Sequence, residues 1–530
     1  MEMDFENQTF SYVDFPGFLQ KAGGRYMDAG SFPETDNEGR PFLMKYTKTR
    51  NLYGDYTVLD LKKYNIPMLV QDGRYLLPMQ TLMAFTDTSG AYGAYFNGQA
   101  VFLSSVTAMT DPYQLFLNFA QLSGLLTPDI MQAMISFEGT KAEKQALFLE
   151  LLSKGSETGA DTVASFLEEK ETMMYAKYSE VPKTPRSRAL AVYGYNELCL
   201  EMDCFYGLKE THNITDFNTF FLQTGLADRL MDPDAAVADA AIAEMVNFWF
   251  DDIHSTYISS SCMAASDPDE ESVFSRAGTD SVKTMVKAAR SRYPESSLPY
   301  YEVGDTAYVT FDNFSTSKTE EGLGVGTFAD YYRLAEEGKL QNDTISTIIL
   351  AHQQIMRENS PVKNVVLDLS NNGGGEVCAA LYVLSSLLGK GNVSIFNPFT
   401  NAQTTSYVQA DVNLDRQFDG QDTLTDKGLN LYCLISRASF SSGNLVPWVL
   451  KADGRVTLLG KTSGGGSCIV DAQTTAWGTS FNISGFSRLS FVKNGAYYDV
   501  DKGVEPDHVI DSYDHFCDRE ALTEYIHNLY

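Results

Sequence analysis

The chain has no apolar run approaching the roughly 18 residues that a membrane-spanning helix needs, and no C-x-x-C pair among its seven cysteines. The first absence argues against a helical membrane span. The second removes the usual zinc and dithiol redox motifs. Cys199, Cys204, Cys262, Cys378, Cys433, Cys468 and Cys517 form an odd, scattered set that reads as mostly free thiols. Positive charge is scarce as well: 40 Lys and Arg stand against 69 Asp and Glu, a net charge of −29. Such a surface has no cation excess to neutralise phosphates, so nucleic acid and anionic membrane surfaces are poor partners. The chain opens Met1-Glu2-Met3-Asp4-Phe5-Glu6, acidic and polar, so no signal peptide is expected in this stretch.

Apolar content of 44% and charged content of 21% are those of a soluble globular protein, and 530 residues suggest about three domains. Residues 1–105 place short apolar runs such as Tyr56–Leu59 and Ala100–Leu103 between Gly- and Asp-containing turns, which predicts a small, mostly β module. Its phrase Ile66 to Pro78 resembles the repeat of small β domains appended to secreted and cell-wall proteins. That likeness implies an extracytoplasmic setting, with a possible association with the cell envelope. Residues 106–262 carry helical spacing, including 110–126, 142–154, 160–176 and 187–208. An Ala-rich helix over 232–253 is expected, with Asp232 as N-cap and Pro233 at its first position. Residues 263–299 read as a polar linker or an exposed helix. From 300 to 515 strands alternate with helices, which argues for a layered α/β core. A C-terminal helix is expected over 516–530.

The densest chemical signal lies between Leu431 and Gly466. Leu431-Tyr432-Cys433-Leu434-Ile435 reads as a buried strand, Ser439-Phe440-Ser441-Ser442-Gly443-Asn444 as a tight turn, and Leu445–Leu450 as the opening of a helix that ends near Gly454. A serine at such a point has two readings. It caps the helix, or it is a nucleophile, because the helix N-terminus favours the negative charge that builds during acyl transfer. A second strand, Val365–Leu369, runs into Asn371-Asn372-Gly373-Gly374-Gly375. Three glycines permit a sharp turn that aims N–H groups at an anion. They also permit a turn with no function.

These two segments, with Gly503-Val504-Glu505-Pro506-Asp507, resemble the three ordered signatures of the S41 family of serine peptidases, the carboxyl-terminal processing and tricorn-like enzymes. Val365 to Gly375 is similar to the family's strand and D-L-R-x-N-x-G-G, with Ser370 in place of Arg. Ala438 to Asn444 and Leu458 to Gly464 are similar to A-S-x-S-[AG]-x-E and V-x-G-x-T-x-G, with Asn444 where the family has Glu. The resemblance covers about 300–515 and the helical lead-in near 215–257. It implies a crotonase/ClpP-like layered α/β core, hydrolysis of a peptide or protein substrate through an acyl-enzyme, and no cofactor or metal. Ser441 would be the nucleophile, with the amides of Ser442 and of Gly373 or Gly374 as the oxyanion hole.

The resemblance also frames the choice of base. Processing peptidases use a Lys where this chain has Gly465, and Lys461 stands where the family has Glu. Tricorn-like members use a His followed by Ser, which His254-Ser255 in Asp251-Asp252-Ile253-His254-Ser255 matches. An imidazole suits general base work near neutrality. His212, His352, His515 and His527 read as surface residues, and His508, directly after Pro506-Asp507, is a lesser candidate. Asp501 or Asp499 is expected as the orienting acid, although Val500 occupies the position of the family's Glu. The departures at 370, 444 and 465 leave open a non-catalytic peptide- or ligand-binding protein on the same fold, or a scaffold that recognises partners through residues 1–260.

Overall fold

The computed structural model describes residues 186–261 (without 187 and 251), 279–316, 330–397 and 402–529 (without 476, 478 and 495), together with short segments before residue 104. The helices expected between 110 and 176 lie outside the described residues.

The core is a six-stranded sheet in the order Tyr300–Val303, Thr306–Thr310, Asn364–Asp368, Asn430–Ile435, Val456–Gly460 and His508–Val509. The first pair is antiparallel and every other pairing is parallel. Successive side chains of a strand point to opposite faces, and here both faces are covered. Ala307, Val309, Val365, Leu367, Leu431 and Cys433 pack with the helices Thr344–Ile355, Val377–Leu388 and Ser442–Asp453. Tyr308, Val366, Tyr432 and Leu434 pack on the other side with Thr279–Arg292 and the C-terminal helices Tyr513–Cys517 and Arg519–His527. This burial on two sides is why the strands read as continuous apolar runs rather than alternating ones.

A second sheet of eight strands carries the lead-in region. Its longest strand, Ser480–Lys493, pairs with Thr256–Ser259, Gly391–Asn397, Cys468–Thr474 and Ala496–Asp499. Strand Met44–Asn51 pairs along its whole length with Ala402–Ala410, and Ala29–Ser31 pairs with Met44–Asn51. Part of residues 1–105 therefore belongs to the sheet of the core region, while other described strands of that stretch form a separate five-stranded sheet and a hairpin.

The helical region comprises Arg188–Phe205, Phe217–Thr224, Leu226–Leu230 and Ala235–Glu244, ending in a wide turn over Met245–Trp249. Its cap differs from expectation. Asp234, not Asp232, caps the Ala-rich helix by accepting from the Ala236 amide, and Asp232 accepts from the Asp234 amide instead. The stretch read as a linker or an exposed helix also differs. Residues 279–292 form a helix that buries Val286 and Ala289 completely.

Asp368, at the end of its strand, is almost fully buried. Burial raises its pKa, but the Arg519 guanidinium 2.7 Å away, Arg290 at 3.8 Å and a hydrogen bond involving Ser370 outweigh that and hold it below the usual carboxylate range. The positive charge at this strand end thus comes from two distant helices. Six described cysteines are free thiols. Among the described residues no helix is long and apolar enough to cross a membrane.

Candidate active site

Strand Asn430–Ile435 and helix Ser442–Asp453 are joined by a turn whose three serines have different fates. Ser439 is completely buried. Its hydroxyl donates to the Leu369 carbonyl at 2.7 Å and accepts from the Ser436 amide. Ser442 is buried too, and its hydroxyl donates to the Gly375 carbonyl at 2.9 Å. Ser441 sits between them at φ 55° and ψ −123°, a left-handed conformation that a side-chain-bearing residue adopts at a cost of order 1–3 kcal/mol. Its side chain makes no capping hydrogen bond to the helix that starts beside it. Capping therefore does not explain Ser441. Of the turn's three serines, the strained one is the one whose hydroxyl makes no hydrogen bond among the described residues.

Backbone bonds fasten this turn on two sides. The Ser441 amide donates to the Gly465 carbonyl at 2.9 Å, and the Phe440 amide donates to the Asn372 carbonyl at 3.0 Å. Gly443 lies so close to Asn372 that a Cβ there would collide with its backbone carbonyl. Asn444 is buried. Its amide nitrogen donates to the Val500 carbonyl, and its oxygen accepts from Ser463 Oγ at 2.6 Å. A neutral amide at 444 can donate and accept at once, as these two partners require.

The glycine turn lies directly against Ser441. A Cβ on Gly374 would sit 2.7 Å from Ser441 Cβ and 3.2 Å from the Ser442 amide nitrogen, and Gly374 has φ 102°. The two glycine amides considered as donors are committed elsewhere, however. The Gly373 N–H donates to the Asp312 carbonyl, and the Gly374 N–H to Asn372 Oδ1 at 2.9 Å. Among the described residues, the Ser442 and Gly375 amides donate to nothing. Asn372, which holds the Gly374 amide back and accepts from Phe440, was not singled out by the sequence reading. Its place directly before the glycines was the available signal.

His254 is buried, and its ring stands 4.8 Å, centroid to centroid, from the ring of Phe440, the residue before Ser441. The fold thus brings the helical lead-in to the serine turn, although Ser441 makes no hydrogen bond to the imidazole. The turn carrying His254 is held by Asp252. This buried carboxylate accepts from the Ser255 amide, Ser255 Oγ, Ser484 Oγ and Tyr206 Oη, all at 2.8–2.9 Å. Ser255 Oγ also accepts from the Ser484 amide at 3.2 Å. Ser255 is therefore part of the fastening, and Asp252 is its centre. Asp251 lies outside the described residues.

The two acids expected to orient the histidine carry other hydrogen bonds. Asp501 accepts from the Ser467 amide and hydroxyl and lies 3.7 Å from Arg488. Asp499 is exposed and accepts from the Asp501 amide. Neither hydrogen-bonds to His254. Lys461 lies over the Tyr513 ring at 4.9 Å. Among the other histidines, His352 is buried rather than on the surface, and burial pushes its pKa down to about 4. Among the described residues no cluster of three or more His, Cys, Asp or Glu is placed to hold a metal.

Residues 305–510 match the model of peptidase family S41. No curated protein matches the chain. Among solved structures it is similar to a photosystem II D1 C-terminal processing protease, at 20% identity and a TM-score of 0.29. That match covers 41% of this chain and 46% of the other, so the chain spans under half the length of that protease. It is similar to a lipoprotein from Streptococcus agalactiae, at 16% identity over 66% of this chain and 99% of the other, with a TM-score of 0.38. It is also similar to mature CPAF complexed with lactacystin, at 11% identity over 64% and 97% of the two chains, with a TM-score of 0.39.

Proposed function

We propose that this chain, which carries a peptidase family S41 domain over residues 305–510, is a serine-type peptidase that cleaves peptide or protein substrates through an acyl-enzyme. The observation that carries this reading is Ser441 itself. It is a non-glycine residue held at positive φ between a strand and a helix, with its hydroxyl uncommitted and a glycine turn pressed against it. Local strain of this kind is retained where the surrounding structure enforces it, and it exposes the hydroxyl at the start of the helix dipole.

In this reading Ser441 Oγ attacks the scissile carbonyl while His254 takes its proton. His254 then donates that proton to the leaving amine, and water, activated by the same imidazole, releases the acyl group. The oxyanion is held by the Ser442 amide and by the glycine turn, where Gly375 has the N–H available in this arrangement. The imidazole needs to come within hydrogen-bond reach of Ser441. Such contacts are often loose before substrate binds. Asp252 acts as a positioning residue that fixes the turn bearing His254, and Asp501 serves the fold around Ser467. The setting is extracytoplasmic in this proposal.

A second reading is favoured by one observation, the absence of a hydrogen bond from His254 to Ser441, Asp501 or Asp499. It is a non-catalytic peptide-binding protein on the same fold. Incubation of the wild type and of Ser441→Ala with a degenerate peptide library separates the two. Cleavage by the wild type alone supports the peptidase, and no cleavage by either supports the binding protein.

A further inference from the structure

Helix Thr279–Arg292 runs beside the glycine turn, and three cations share one of its faces at positions i, i+4 and i+7: Lys283, Lys287 and Arg290. Lys283 is at the turn itself, with Nζ 3.0 Å from where a Cβ on Gly373 would be, one residue before the glycine that abuts Ser441. Lys287 and Arg290 line a groove of about 670 Å³ that also includes Asp312, Asn313, Asp343 and Thr344. Asp312 joins the two features, because its carbonyl accepts from the Gly373 amide.

The formal charges lining the groove balance, Lys287 and Arg290 against Asp312 and Asp343, but the two acids are already engaged and Lys283 adds a further cation at the adjoining turn. Asp312 is bonded to Arg290 at 2.6 Å and accepts from Asn371 Nδ2 at 2.7 Å. Asp343 caps the helix Thr344–Ile355 and accepts from Tyr331 Oη, the Ser346 amide and Ser346 Oγ. Lys283 and Lys287 have no acidic partner among the described residues, in a chain whose net charge is −29. Two uncommitted cations beside a candidate catalytic turn on so acidic a protein call for an external anion.

We infer that this groove, together with Lys283 at the adjoining glycine turn, selects peptide substrates with two side-chain carboxylates spaced two residues apart. The inference rests on the peptidase reading for the substrate's identity. Lysines four positions apart on a helix are displaced by about 6 Å along its axis. Side chains two positions apart on an extended peptide are separated by about 6.6 Å and share one face. An acid-x-acid segment therefore fits the pair, whereas a single acid engages one lysine only. Pairs of this partly exposed kind are each worth a few-fold in affinity, so two together give on the order of tenfold.

The test uses Ser441→Ala, so that binding is read without turnover, and fluorescent peptides amidated at the C-terminus, so that no terminal carboxylate competes. Each Glu-x-Glu peptide is matched with its Gln-x-Gln counterpart, with the acidic pair on either side of a library-defined cleavage site. Fluorescence anisotropy is expected to show about tenfold tighter binding of the Glu peptide in one of the two placements. The ratio should fall to about one when Lys283→Gln and Lys287→Gln are added. Equal binding of Glu and Gln peptides in both placements overturns the inference, and so does a preference that survives loss of both lysines. Fluorophosphonate labelling of the wild type is scored separately. A preference without labelling leaves the groove standing and removes the peptidase reading, whereas labelling without a preference does the reverse.

Discussion

The segment that presents Ser441 is fastened at many points, by backbone bonds and by the side chains of Ser439, Ser442 and Asn444, whereas the turn that presents His254 is gathered on one carboxylate. Around Ser441 the amides of residues 440 and 441 bond to the carbonyls of Asn372 and Gly465, and Gly443 allows the close approach. Around His254 a single carboxylate, Asp252, collects four donors from Tyr206, Ser255 and Ser484. The first spreads its fastening over several bonds. The other depends on one buried charge whose loss leaves four donors short of partners, and removing one partner of a buried polar network costs more than an average hydrogen bond contributes. The two halves should therefore fail differently: substitution at Ser441 or Gly374 should remove chemistry, and substitution behind the histidine should remove chemistry and stability together.

The largest effect is expected at Ser441. Ser441→Ala should lower peptide cleavage by a factor on the order of 10⁴ or more without changing the thermal midpoint, and His254→Ala should do the same to cleavage. Lys461→Ala, on the Tyr513 side of the turn, should keep most of the activity, and an inactive Lys461→Ala would reverse the choice of base. Next comes the glycine turn. A methyl at Gly374 would crowd both Ser441 Cβ and the Ser442 amide at an unfavourable φ, so Gly374→Ala should reduce kcat by about 100- to 1000-fold. An unimpaired Gly374→Ala would place the oxyanion elsewhere.

Asp252→Asn sharpens the comparison further. An amide puts its own N–H group among donors, so the variant should lose about 1–3 kcal/mol in urea unfolding and about tenfold in kcat. A drop in kcat with unchanged stability would instead give Asp252 a direct part in the chemistry. The smallest change in turnover is expected from Ser439→Ala, because its hydroxyl bridges Ser436 and Leu369 rather than facing solvent. Its stability should fall by about 1–3 kcal/mol while the folded fraction keeps its activity.

The serine turn was legible in the sequence because its signals are local: an apolar strand, a cluster of small residues and a helix start. The α/β alternation after residue 300 was legible for the same reason. The pairing of Met44–Asn51 with Ala402–Ala410 was not, since nothing in either strand names a partner some 350 residues away. The helix Thr279–Arg292 was read only as one alternative to a linker, and an exposed one, because its charged residues hide the spacing of Val282, Val286 and Ala289, which are its buried face. The spacing of Asp501 from the Gly503 motif suggested an orienting acid, but it could not show that this carboxylate accepts from Ser467 and lies 3.7 Å from Arg488, since those residues come from other segments. Asp252 was visible beside His254, yet its role depends on Tyr206 and Ser484, which only the fold brings together.

The central claim is that Ser441 is a nucleophile activated by His254. Treating the wild type, His254→Ala and Lys461→Ala with a fluorophosphonate and mapping the adduct by peptide mass spectrometry tests it most directly. The account predicts a single adduct on Ser441 in the wild type and in Lys461→Ala, and none in His254→Ala. An adduct on Ser439, an adduct that survives His254→Ala, or no adduct in the wild type would contradict it.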